Sequence, residues 1–235
     1  MNKTLIGIAA AVALIGTPAL AADLPLKAPE PVVAAPVYNW SGCYVGLNAG
    51  GGWQVSSFTT EGSGSGAGVL GGAQVGCNAQ WRQFVIGAEG EFWGSTLSDR
   101  EFNSEPGDTF QRTSHNRWDG AVSVRSGIAF DRTLVYGKLG VVWGKFDYAS
   151  SEIDPSDFFA SSASAIFTGV LLGVGFEYAL TEHWTTKLEY NYIDYGNTIV
   201  NFTGVACDPG CVSSPQSVAL KETKQLIKLG VNYKF

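Results

Sequence analysis

The chain has 235 residues, only 15% of them charged, and a formal net charge of −6 with no Lys/Arg cluster, which argues against a nucleic-acid partner. Thirty glycines, seven tryptophans and nine tyrosines are the make-up of a β-rich surface protein. About two hundred residues remain after the N-terminal leader, enough for one domain.

Asn2-Lys3-Thr4 gives a short positive start, Leu5 to Ile15 an apolar run, and Ala19-Leu20-Ala21 a small-x-small cleavage site. These are the parts of an export signal, expected over residues 1–21 with cleavage after Ala21 or Ala22. The run is shorter than the ~20 residues a membrane-spanning helix needs, and no later stretch is long and apolar enough to be one. The mature chain is therefore either soluble outside the cytoplasm or a membrane β-barrel, since only helices and closed barrels satisfy their backbone in lipid. Residues 22–38 carry Pro25, Pro29, Pro31 and Pro36, and this spacing predicts an extended linker. Residues 39–235 are then the barrel.

Past the linker only Pro106, Pro155, Pro209 and Pro215 occur, and proline marks connections because it cannot donate to a sheet ladder. Between them the pattern predicts eight strands, roughly 40–55, 68–80, 83–94, 117–130, 133–149, 165–180, 183–199 and 222–235. Long polar connections are expected at Ser56–Ala67, Ser95–Asn116, Ser150–Ser164 and Val200–Lys221. They alternate with turns of two or three residues near Trp81-Arg82, Asp131-Arg132 and Thr181-Glu182. The fold class is all-β: an eight-stranded antiparallel transmembrane β-barrel with short periplasmic turns and four longer external loops.

Strand parity separates the side chains. One parity carries Phe84, Ile86, Phe92, Val122, Val124, Leu139, Val141, Val170, Leu172, Val174, Leu188 and Tyr190, and on the last strand Ile227, Leu229, Val231, Tyr233 and Phe235. The other carries Glu89, Glu91, Asp119, Arg125, Lys138, Glu177, Lys187, Glu189, Asn191 and Lys228, spaced by small residues. A soluble ligand-binding barrel would turn the apolar parity inward and a membrane barrel outward. Trp53, Trp93, Trp143, Tyr148, Trp184, Tyr192 and Phe235, near strand ends, suit two interfacial girdles. The mid-strand charges nearly balance, as an enclosed lumen requires, because unpaired buried charge is costly. The lumen is accordingly expected to be shut by a network of ion pairs and hydrogen bonds; a thin water channel lined by the same charges is the alternative.

Cys207 and Cys211 flank an Asp-Pro-Gly turn and are expected to bond, whereas a lone CxxxC without a nearby histidine is a poor metal site. Cys43 and Cys77 stand symmetrically about position 60, the centre of the first long connection, which places them opposite each other on the outward parity. A cross-strand disulfide or two buried thiols both fit that position. The histidines, His115 in an expected loop and His183 at an expected turn, are far apart. No HExxH or GxSxG occurs, and Asp108, Ser114 and His115 read as a polar loop and not as a catalytic set, so no enzyme and no cofactor is expected. Gly62 to Gly68 lacks the Lys-Ser/Thr of a phosphate loop and reads as a flexible hairpin tip.

Ala21-Ala22-Asp23-Leu24-Pro25, the segment Tyr38 to Gly51 and the terminal Lys228-Leu-Gly-Val-Asn-Tyr-Lys-Phe235 resemble the small outer-membrane β-barrel, porin-family proteins of rhizobia-related alphaproteobacteria. Cys43 departs from the pattern, since that position is more usually aromatic. The resemblance implies an integral outer-membrane component supporting envelope integrity, passing small solutes slowly at most. Its partners would be outer-membrane lipid and the barrel-assembly machinery, the latter reading Tyr233 and Phe235. It also leaves a second role open, capture of haemin or a host surface ligand by the external loops.

Overall fold

The computed structural model describes residues 38–58, 62–105, 108–153, 158–208, 210–213 and 215–235. The expected export signal and all but the last residue of the expected linker lie outside the described residues. The alternating segments become strands β1 (Gly42–Phe58), β2 (Gly62–Trp81), β3 (Phe84–Ser95), β4 (Ser98–Glu105) and β5 (Asp108–Phe130). They continue as β6 (Thr133–Ile153), β7 (Phe158–Ala179), β8 (Trp184–Asp208), β9 (Gly210–Ser213) and β10 (Gln216–Lys234).

All pairings are antiparallel, in the order β10-β1-β2-β3-β5-β6-β7-β8, and β8 pairs back to β10. The wall is thus a closed ring of eight strands. β4 carries the β3 side of the ladder onward along β5, and β9 folds back on the tip of β8. The closing seam runs from Tyr44↔Lys234 to Phe58↔Leu220, so no edge of the ring is left to pair with another chain.

At one end the turns are tight. Arg82-Gln83 and Asp131-Arg132 each link two strands, with φ of 57° at Arg82 and 53° at Asp131, which suits the strand twist of a two-residue hairpin. The third turn takes four residues, Leu180 to His183, one or two more than expected. Thr181 closes it, its hydroxyl accepting from the backbone N–H of Trp184 at 3.0 Å.

At the other end the expected loops are largely ladder. Ser56–Ala67, Ser95–Asn116, Ser150–Ser164 and Val200–Lys221 are mostly paired, in ribbons that reach Thr109↔Ile153 and Phe158↔Cys207. Gly62 to Gly68, expected as a flexible tip, pairs with β1, and His115 stands inside β5 opposite Asp147. Serine, threonine and asparagine make a segment polar but leave every backbone donor in place, so they do not end a ladder. Proline removes a donor, and Pro106, Pro155 and Pro209 fall between described strands, whereas residues 59–61, between β1 and β2, include none. With strands of 12–25 residues in the wall, most are far longer than the ~9–11 that cross a bilayer.

The parity reading holds around the ring. Leu47 (70% exposed), Ile86 (63%), Val174 (61%) and Leu229 (62%) point out, while Glu89 (1%), Lys187 (1%) and Lys228 (0%) point in. Two aromatics expected in the outward girdles instead point inward, Trp93 and Tyr148. Trp93 shares the parity of Glu89 and Glu91, and Tyr148 that of Lys138, so pleat alternation outweighs nearness to a strand end. Trp53, Trp143, Trp184 and Phe235 are outward.

Cys43 and Cys77 are direct cross-strand partners with a Sγ–Sγ bond of 2.09 Å, on the outer surface near the turn end. Cys211 is disulfide-bonded and pairs in the ladder with Cys207, whose side chain lies outside the described set. Replacing Cys43 and Cys77 with serine frees a segment of sequence separation 34. Loop-closure entropy makes the bond worth at most about 4 kcal/mol. The double variant is expected to fold and to lose its compact, fast-migrating gel form at a lower urea concentration than the parent.

Candidate functional site: the filled lumen

The lumen is stacked in layers from the turn end. Tyr38, Trp40, Val85, Ala129, Leu134, Tyr136 and Ala179 form the first. Trp40 is fixed by its backbone N–H to Gln80 Oε1 (2.7 Å) and by its indole N–H to the Asp131 carbonyl (3.2 Å), and the Lys234 ammonium lies 4.3 Å over the Tyr38 ring. The segment just before β1 therefore sits in the mouth of the barrel.

The second layer holds the charges. Lys138 Nζ lies 2.6 Å from Glu91, 2.6 Å from Glu189 and 3.1 Å from Glu89. Lys187 reaches Glu89 at 3.2 Å and Glu189 at 3.4 Å, and Lys228 reaches Glu91 at 2.8 Å. Arg125 pairs with Glu177 at 3.0 Å, its guanidinium 4.9 Å from the Tyr44 ring centre and 5.0 Å from that of Tyr136. Hydroxyls and amides take remaining lone pairs: Tyr44 donates to Glu89 (2.6 Å), Tyr136 to Glu189 (2.8 Å), Thr185 to Glu177 (2.5 Å) and Asn232 to Glu177 (2.9 Å). Oxygens of Glu89, Glu91 and Glu189 lie within 4.8 Å of one another, close enough to hold a metal ion, but lysine ammonium groups already provide the cations there.

Glycines make the room. A Cβ on Gly175 would strike the Tyr136 ring, and one on Gly173 the Asn191 side chain.

Above the charges lies a larger apolar layer that includes Trp93, Val142, Phe146, Phe167, Leu171, Ile193 and Leu226. Phe146 meets Phe167 and Tyr195 edge to face, at 5.1 and 5.3 Å between centroids. One ion pair is set into it: Lys224 to Asp119 at 2.8 Å, with the Tyr195 hydroxyl also donating to Asp119.

The family described as outer membrane protein beta-barrel domain matches residues 7–235, nearly the whole chain. The chain belongs to that family. Among its relatives the "31 kDa outer-membrane immunogenic protein" of Brucella melitensis biotype 1 is 34% identical, over 97% of this chain and 98% of its own length. The "22 kDa outer membrane protein" of Rhizobium leguminosarum bv. viciae is 28% identical, over 68% of this chain and 66% of its own. A solved structure, a major outer membrane protein from Thermus thermophilus, aligns with a TM-score of 0.46 at 17% identity, covering 82% of this chain and 99% of that one.

This outer-membrane barrel therefore turns its apolar face to lipid and its ionic face to itself. Of the charges singled out in the sequence, Glu89, Glu91, Arg125, Lys138, Glu177, Lys187, Glu189 and Lys228 meet in one network, and Asp119 lies apart with Lys224. Lys224 went unnoticed, although it shares the parity of Lys228 on the same strand. The aromatic layer was missed for another reason: alternation tells inward from outward, but treats an inward Phe146 or Phe167 as an exception. Glu222 was missed too. It lies on β10 past the end of the outward apolar belt that begins at Ile227, and is fully buried.

Burial pushes the Glu222 carboxyl up to about 8, with Asp99 adding to the shift and hydrogen bonds from Ser56 and Tyr148 opposing it. The folded state thus keeps a proton that the unfolded chain releases near its ordinary value of 4.5. Stability is expected to fall as pH rises from about 4.5 to about 8 and then to level off. Urea midpoints of the detergent-folded protein across this range, compared with those of Glu222→Gln, check the sign, because the variant should lack that slope. At the network, Lys138→Met leaves three carboxylates without their shared ammonium and is expected to cost about 3–5 kcal/mol. Combining it with Glu189→Gln should recover part of that loss in the same measurement.

Proposed function

We propose that the protein is a structural component of the outer membrane that supports envelope integrity, with a side-chain-filled lumen that passes small solutes slowly at most and performs no catalysis. The observation that carries this reading is the sandwich in the lumen. Four acids and four bases neutralise one another between the Trp40–Tyr136 layer below and the Trp93–Phe146–Phe167 layer above. Conducting ions through it would require breaking buried pairs whose partners have no water to turn to.

Other features support the same role. Tyr233 and Phe235 stand outward on the closing strand, 5.6 Å apart between ring centres, where the barrel-assembly machinery would meet them before the seam closes. The long ribbons beyond the apolar belt would be displayed outside the cell, in keeping with the "immunogenic" in the names of the Brucella relatives. In planar bilayers the purified protein is expected to show no stable, large, ohmic conductance. Such a conductance from pure protein would overturn the closed-lumen reading.

A further inference from the structure

Where the outward belt ends on the ribbon side, the outer wall changes from apolar to cationic. On β6 the outward run from Val135 to Trp143 matches the ~9–11 residues that cross a bilayer, and Lys145 is the next outward side chain. Lys145 pairs across the ladder with Trp118 of β5, which stacks on Phe92 of β3 at 5.7 Å between ring centres. Arg117 is the extra residue of the bulge between Asn116 and Trp118; its side chain is 62% exposed and holds Asp147 at 2.5 Å. Lys145 interacts electrostatically with the same carboxylate. Among the described residues two cations therefore face one acid here, while across β7 Asp194 is matched by Lys221 at 3.5 Å. Below the cations the belt is recessed. A trough of about 850 Å³ runs along it, with a lining that includes Ala73, Gly90, Phe92, Gly120, Val122 and Trp143. Cβ atoms on Gly90 and Gly120 would meet nothing closer than 3.9 and 3.7 Å, so the missing side chains are the space. Beyond β6 the β7–β8 ladder is interrupted between Ser162↔Thr203 and Val170↔Asp194. The exposed Ser164 and Thr168 lie in that stretch, opposite Asp147 and Trp143.

We propose that this face binds a phosphorylated glycolipid of the outer leaflet, of the lipid A class. Lys145 and Arg117 take its phosphates, the hydroxyls of Ser164 and Thr168 meet its sugars, and an acyl chain lies in the trough past Trp118 and Trp143. Charge complementarity selects this occupant. Cations at the border of a lipid-facing wall meet lipid phosphates, and a phosphate gives each a charge-assisted hydrogen bond. A second copy of the chain, related by a two-fold axis along the membrane normal, would set the same cations against themselves. Two phosphates on one headgroup suit two cations carried by neighbouring strands, and the ribbon end meets the outer leaflet. The inference rests on the external placing of the ribbons given above but not on the closed lumen, so lipid binding and bilayer conductance fail independently.

Native mass spectrometry of the full chain, delipidated in detergent and titrated with diphosphoryl lipid A, tests this. One lipid A per chain is expected, with about tenfold weaker binding of dephosphorylated lipid A and of phosphatidylglycerol, which has a single phosphate. Combining Lys145→Gln with Arg117→Gln should weaken lipid A binding about tenfold while keeping the compact gel form, since both side chains lie on the outer surface. No bound lipid A, equal binding of the dephosphorylated lipid, or an unchanged affinity in the double variant would overturn the site. Equal binding of phosphatidylglycerol would overturn its assignment to the glycolipid. Should the double variant not fold, Lys145→Gln alone decides: several-fold weaker binding supports the site and an unchanged Kd sinks it.

Discussion

Eight ionised side chains share a space from which the wall excludes most water, and nearly everything else in the molecule follows from keeping them paired. An ion moved from water into such an interior loses several kcal/mol of hydration even after relaxation. It can be kept there only if an opposite charge and hydrogen bonds replace what is lost. Lys138 does this for three carboxylates at once, and Tyr44, Tyr136, Thr185 and Asn232 fill remaining lone pairs. Such a network is rigid because most members have more than one partner, so moving one group strands several.

The closed ladder is the other half of the same constraint. With β10 paired on both sides, to β1 and β8, the ring has no free edge, and its backbone needs nothing from lipid. The outward side chains are then free to be uniformly apolar. Past the belt the ladder continues into ribbons, and there the lumen changes character from ionic to aromatic and then to the hydroxyl and carboxyl groups around Glu222. The disulfide between Cys43 and Cys77 reinforces β1 against β2 near the turn end, on the lipid face.

Much of this was legible because a β-strand is a simple code. Period-two alternation identified the outward and inward faces, and the near-equality of acids and bases marked the inward face as enclosed. The symmetric placing of Cys43 and Cys77 about position 60 anticipated their register, since positions in an antiparallel hairpin pair at a constant sum. Extents were not legible. Polarity in a segment suggests a loop, yet Ser, Thr and Asn keep their backbone donors, and the described ladders run on through such segments. For Trp93 and Tyr148, nearness to a strand end points outward, where parity was the sounder guide.

By itself, then, the sequence determined the number of wall strands, their antiparallel order, the side of the wall that the mid-strand charges and the aliphatic belt face, and the sign balance of the interior. These depend only on local alternation and on where backbone donors are missing. The tertiary structure alone decided which charges meet, that Asp119 joins Lys224 and stays out of the main network, and that Glu222 is left among hydroxyls beside Asp99 and Gln54. Contacts across a lumen join residues far apart in the chain, as Lys228 and Glu91 are at a separation of 137. Which of them share a level is set by the stagger of the closed ring, a property of all eight strands together that no single segment encodes.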